Sequence, residues 1–296
     1  MVISKKLYYL YRGKSDYERM KKITSTYRAV CAIGLVAIAA VALDATVGSL
    51  PVEMLSFPLN ILLLVLWAAA IGYLYRRRES SAVAQTLLTR GATWLSLALM
   101  AGLGIILGLQ RQPATTSWVV VASLLFVLTH LSLVTLRGWR RNGGIRYRFL
   151  LTHIGLLLAL GAGFWGAPDR EQMRIAVSAE ATNEAYTMEG EIRALPYDIS
   201  LSSARTELSD SGVPTLYEAT IRVDGQEQVL RVNHPYDRTL SEKIYLISIS
   251  NMADGEQYAV LEIVHEPWQW LSATGIVMLI VGAILMFLRG AQQRRA

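Results

Sequence analysis

Six apolar runs divide this chain: Ala29–Val47, Phe57–Tyr75, Ala92–Leu109, Trp118–Leu136, Phe149–Trp165 and Trp270–Leu288. A bilayer core about 30 Å thick takes about 20 helical residues at ~1.5 Å each, so every run is long enough to cross if the shortest is anchored or the bilayer thins slightly. Between the fifth and sixth runs the pattern changes to alternation, at Met173–Ala179, Ile199–Ala204, Tyr217–Val223, Gln228–Val232, Ile244–Ile249 and Tyr258–Val264. Period two marks half-buried strands. Asp224-Gly225 and Asp254-Gly255 fall between consecutive strands and predict hairpin turns. The expected fold class is therefore an α-helical membrane protein of six transmembrane helices with one extracytoplasmic all-β domain, a sandwich or open barrel, between helices five and six.

Charge orients the helices. Residues 168–267 hold 8 Arg or Lys against 18 Asp or Glu, which leaves 21 basic and 5 acidic residues for the rest of the chain. The net charge of +6 is thus a signal of membrane topology and excludes a nucleic-acid-binding face. Eight basic residues precede Ala29, Arg76–Arg78 follow the second run, and Arg137, Arg140, Arg141, Arg146 and Arg148 lie between the fourth and fifth. Arg289, Arg294 and Arg295 follow the sixth, and Arg111 alone falls in an outer loop. This places a basic N-terminus (1–28), the loop at 137–148 and the C-terminal tail in the cytoplasm. Four helices occupy 29–136, a fifth 149–167 and a sixth 268–296, with the β-domain (168–267) outside, anchored at both ends in the cytoplasmic membrane. Trp268 and Trp270 are expected at the outer interface. The basic start followed by a long first run reads as a retained anchor and not a cleaved leader.

Candidate chemistry is sparse. A single cysteine, Cys31, rules out an internal disulfide and any Cys-x-x-Cys redox or zinc site. No Gly-rich phosphate loop, nucleophile pairing or metal-ligand spacing occurs. Two of the four histidines fall within membrane runs: His153 five residues from Arg148, and His130 seven from Arg137. Those offsets are about 7 and about 10 Å, which sets both imidazoles at similar depth in the inner third. A polar side chain there either lines a functional site or hydrogen-bonds a helix carbonyl or a threonine such as Thr129 or Thr152. If the pair binds a ligand, haem iron suits axial imidazole between apolar helices. Outside the membrane, Asn233-His234-Pro235 reads as a structural motif ending a strand, and His265 as an interfacial polar residue. Gly102-Leu-Gly and Gly161-Ala-Gly read as helix-packing glycines.

Leu151-Thr-His-Ile-Gly-Leu-Leu-Leu ahead of a β-rich domain, then Leu230-Arg-Val-Asn-His-Pro, Ile244-Tyr245, and Glu266-Pro267-Trp268 before a last helix resemble the ResB (CcsB) family, in a compact six-span variety. The resemblance runs from about Leu150 to the C-terminus. It implies System II cytochrome c biogenesis: with a CcsA-like membrane partner, haem b passes transiently to the outer face and is joined to Cys-x-x-Cys-His sites of apocytochrome c. The chain would not be catalytic alone but a component of a cytochrome c synthase (haem lyase). A transmembrane histidine before the outer domain is a haem ligand in the family, a role that falls here to His153; His130 joins it by depth alone.

Two other readings stand beside this one. The β-domain could bind a protein ligand without haem, with the helices as anchor, as in a sensor or scaffold. Alternatively, His130 and His153 could be paired ligands of a single b-type haem in an electron carrier.

Overall fold

The computed structural model describes residues 30–31, 33–109, 116–141, 143–208, 214–251 and 255–293. The basic N-terminus, Arg111, Asp254, Arg294 and Arg295 lie outside those residues. The chain forms two units, one of residues 1–168 and 272–296, the other of residues 169–271.

Five helices of the first unit are long and apolar enough to cross a membrane: α2 (Leu59–Arg76), α4 (Arg90–Leu109), α5 (Trp118–Gly138), α6 (Tyr147–Gly166) and α7, which begins at Gln269 and runs to Gln293. The protein is a membrane protein on this ground. The first run appears as a shorter apolar helix, α1 (Ile33–Thr46), among the described residues. Sequence periodicity gave no sign of α3 (Ala82–Leu87), a six-residue helix capped by Ser81, whose hydroxyl accepts from the Ala84 N–H. Ala84, Thr86 and Leu87 are buried, so this short element is held by its contacts and not by its length.

Side-chain hydrogen bonds tie the helices together. Asn60 at the start of α2 is 1% exposed and donates to the Trp165 carbonyl on α6 (3.0 Å). Trp67 donates to Thr129 Oγ1 on α5 (3.1 Å), and the Tyr75 hydroxyl to the Leu136 carbonyl (2.8 Å). Asp44 of α1 caps α5, accepting from Ser117 Oγ (2.6 Å) and from the N–H groups of Trp118 and Val119. Each bond satisfies a polar group that hydrocarbon cannot.

The packing glycines are not those expected. A Cβ on Gly102, Gly104, Gly161 or Gly163 would meet nothing within 4 Å. Close approach occurs between α6 and α7. A Cβ on Gly155 would stand 2.7 Å from the Gly275 carbonyl oxygen and 2.8 Å from the Leu279 nitrogen, and one on Gly282 would stand 2.7 Å from Thr152 Cγ2. Small residues here let two backbones touch, and dispersion and weak polar contacts replace the hydrophobic effect that lipid abolishes. Two-glycine spacing on one helix said nothing about which face a neighbour would meet.

A two-stranded hairpin joins α5 to α6, pairing β1 (Arg140–Arg141) with β2 (Gly144–Ile145).

The second unit is one antiparallel sheet of eight strands: β3 (Glu171–Val177), β4 (Thr182–Thr187), β5 (Ile192–Leu208), β6 (Pro214–Val223), β7 (Gln226–Arg231), β8 (Tyr236–Asp237), β9 (Glu242–Asn251) and β10 (Gln257–His265). Their order, 7-6-5-4-3-10-9-8, is a ring cut once, between β7 and β8. One core cluster draws Ile175, Ile199, Ile221, Leu230, Ile244 and Leu261 from six strands across the whole order, so the sheet coils around its own interior. It is an open barrel and not a two-sheet sandwich. Along β3 and β10 the exposed and buried positions alternate, the inward set filling that core.

Asp224 (φ 52°) and Gly225 (φ 76°) form the β6–β7 hairpin in the left-handed conformation that such tight turns require. Gly255 (φ 88°) lies in the turn before β10.

Candidate functional site

His130 and His153 come from α5 and α6, which pack against each other and are linked by the β1–β2 hairpin. His130 is 5% exposed, and its Nδ1 lies 2.6 Å from the Leu87 carbonyl oxygen of α3. His153 is half-buried, with Nδ1 2.9 Å from the Phe149 carbonyl oxygen one turn back and 3.1 Å from Thr152 Oγ1. A carbonyl only accepts, so in each ring Nδ1 carries the proton, and in the neutral imidazole Nε2 then keeps its lone pair. That is the tautomer a metal takes, with the second nitrogen oriented by a backbone acceptor. The carbonyl contacts foreseen for a purely structural histidine are therefore present, and among the described residues no hydrogen bond engages Nε2 of either ring. Among the described residues no hydrogen bond or ring contact joins the two imidazoles.

His153 also stands in a stack. Its ring lies 3.8 Å from that of Phe149, nearly parallel, and the Arg146 guanidinium lies 4.5 Å over the other ring in turn. Gly138 at the end of α5 lies against Phe149 and has no room for a side chain. The series guanidinium, phenyl, imidazole leads from the basic hairpin into the helices. Sequence inspection found its ends, but the Phe149 linkage needs the one-turn spacing and a glycine on a different helix.

Within the β-domain, Asn233, His234 and Pro235 span the gap in the ring. The Arg231 and His234 backbones close a four-residue turn, the His234 N–H donating to the Arg231 carbonyl (2.9 Å). Asn233 holds φ at 63°, a region asparagine tolerates better than other residues with a Cβ. Pro235 leads directly into β8. The chain thus leaves one sheet edge and begins the other within five residues. Asn233 also lines a cleft of about 430 Å³ with Arg170, Lys243, Tyr245, Val264 and Glu266. His265 Nδ1 lies 4.0 Å from Glu242, beyond hydrogen-bond reach.

A second cluster escaped sequence analysis because its members are far apart in the chain. Tyr197, 7% exposed, donates its hydroxyl to Glu242 Oε1 (2.7 Å) while Arg238 covers its ring at 3.7 Å. Arg238 also bonds Asp224 (2.9 Å) and Glu242 (3.1 Å). Burial, the bond to Glu242 and its negative charge push the Tyr197 phenol above its ordinary value. Burial works against the charge on Arg238, but Asp224 and Glu242 outweigh it and hold the guanidinium above its ordinary value. Arg238 ties the β6–β7 hairpin to the start of β9, on either side of the gap.

Among the described residues no group of three or more His, Cys, Asp or Glu is arranged to hold a metal ion. A histidine-borne porphyrin needs no such group, only one imidazole and an apolar flank. The Nε2 lone pair of His153, the flat ring of Phe149 and the basic side chains beside it fit that requirement. Residues 139–254, from just before the β1–β2 hairpin to just past β9, match the ResB-like family. No curated protein matches the chain.

Proposed function

From that likeness to the ResB-like family, we propose that this chain is a cytochrome c biogenesis subunit. In this reading it has six spans with both termini in the cytoplasm and the β-domain on the outer face. With a CcsA-like membrane partner it moves haem outward and supports attachment to apocytochrome c. The thiols for thioether formation belong to the apocytochrome, since Cys31 cannot supply a pair. The observation that carries the proposal is the half-buried His153, whose Nε2 has no hydrogen-bond partner among the described residues, on the helix that leads into the β-domain.

The chain's own residues then have distinct tasks. Phe149 and the Nδ1–H bond to its carbonyl orient the imidazole, and His153 Nε2 offers the axial ligand to the cargo. Arg146 and Arg148 lie on the side where carboxylates of the cargo would meet positive charge. His130, bonded to α3, fixes the α3–α5 contact and stands as a secondary ligand candidate. The β-domain offers the surface and cleft on which an apocytochrome segment is received.

Co-expression with a CcsA-like protein and a reporter apocytochrome tests this. Holocytochrome is expected from the wild type. His153→Ala should remove most of the Soret absorbance of the purified complex and most of the holocytochrome, while His130→Ala loses less. Unchanged colour and yield in His153→Ala would overturn the assignment and leave the scaffold reading.

A further inference from the structure

The β1–β2 hairpin and its flanks carry a charge that no carboxylate among the described residues answers. Between Glu79 and Asp169 the sequence has no acidic residue, yet five arginines fall between 137 and 148. Arg137 and Arg146 turn to backbone carbonyls, those of Leu88 and Gly138, both at 3.1 Å. Arg140 lies over the Trp139 ring at 4.0 Å. Among the described residues Arg137, Arg140, Arg146 and Arg148 form no ion pair, although carboxylates engage arginines throughout the β-domain.

Three further observations say what kind of anion this surface fits. The hairpin is a fixed platform, with Arg140 opposite Ile145, Gly143 at φ 79° in the turn and the Arg146 N–H bonded to the Trp139 carbonyl (2.9 Å). Between its charges stand Trp139, Ile145 and Tyr147, exposed by 36%, 40% and 68%. It joins two helices long enough to cross a membrane, so these side chains lie where acyl chains end and headgroups begin. Every cation is arginine, whose planar fork matches phosphate oxygens in pairs and is less strongly hydrated than an ammonium. A soluble anion accounts for the charge but not for the exposed apolar side chains beside it.

We propose that this hairpin is a docking site for the phosphodiester headgroup of an anionic phospholipid, with Arg140 and Arg148 on the phosphate and Trp139, Ile145 and Tyr147 at the root of the acyl chains. The site shares Arg148 with the haem reading but does not rest on that reading. It fixes the depth of α5 and α6, and with them the two membrane histidines.

The test is native mass spectrometry of the detergent-solubilised full chain, titrated with phosphatidylglycerol and with phosphatidylcholine of matched acyl chains. The wild type is expected to retain phosphatidylglycerol selectively, and the double variant Arg140→Gln/Arg148→Gln to bind it about twentyfold more weakly, with Arg140→Lys/Arg148→Lys in between. Raising salt from about 0.1 to about 0.5 M should weaken wild-type retention several-fold, which needs no variant to fold. Equal retention of the two lipids, an unaffected Gln variant, or displacement of bound lipid by inorganic phosphate in tenfold excess would each overturn the proposal. A haem lesion in His153→Ala with normal lipid retention would separate its failure from failure of the biogenesis reading.

Discussion

In the β-domain all eight Lys and Arg side chains, from Arg170 to Lys243, lie within 3.4 Å of a carboxylate. In the helical unit Arg137, Arg140, Arg146 and Arg148 have no such partner among the described residues. Apolar side chains show a parallel difference. The barrel buries its inward residues against one another, Ile175, Ile199 and Ile221 each being at most 1% exposed. Of α2, α4 and α7 only 11% of the most apolar window is buried, against 39% for α5. The β-domain therefore satisfies itself, whereas the helices and their basic hairpin leave apolar faces and positive charges unanswered among the described residues. The single well-buried span, α5, carries His130 and packs against the helix that carries His153.

The largest effect should come from breaking the closest contact inside the open unit. Gly155→Leu puts a side chain where the α7 backbone stands, and a loss of about 3 kcal/mol or more is expected, read as loss of monodisperse full-length protein in detergent. Gly161→Leu, on the same helix with open space around it, should behave as wild type. Equal behaviour of the two would dissolve the α6–α7 seam.

Next is the clamp in the self-sufficient unit. Arg238→Ala uncovers Tyr197 and strands Glu242, whose side chain is 12% exposed, so a loss of about 2–3 kcal/mol is expected in the thermal melt of the full chain. Arg222→Ala breaks an ion pair whose partners are 58% and 55% exposed, and should cost no more than about 0.5 kcal/mol. A similar loss in both would mean that burial does not grade these pairs.

The smallest effect is one of pH. The Tyr197 phenol is raised in the folded chain, so its contribution is complete below the unfolded value near 10 and is lost as pH rises through the folded one. The melting temperature should fall from about pH 10 upward, with a shallower slope in Tyr197→Phe. Identical slopes would remove Tyr197 from the titrating set.

The helices were legible because hydrocarbon accepts no interruption, so an unbroken apolar run with arginines at its end identifies itself. α3 was not, since six residues carry no period. Strand β4 was hidden for a different reason: Thr-Asn-Glu-Ala-Tyr-Thr points only Ala185 into the core, and its remaining side chains read as loop. The first half of β5 escaped similarly, because that strand pairs with β4 over one part and with β6 over the other. Both membrane histidines could be picked out because a ring with two nitrogens is conspicuous among leucines. Thr152 beside His153 was visible as its neighbour in the chain, whereas the partner of His130 was not, as the Leu87 carbonyl on another helix leaves no mark in composition. The same holds for Tyr197, Arg238 and Glu242, three ordinary residues until folding sets them in contact.

Strands β3 and β10 pair side by side, with Glu171 directly opposite His265. The first and last strands of the β-domain therefore start and finish a few ångströms apart, about 5 Å between facing Cα atoms. A module whose two ends meet this closely can be lifted out of its host like a bead on a pinched thread. The two flanking helices meet as well, at Gly155 and Gly275, so the whole domain hangs from one pair of adjacent tethers.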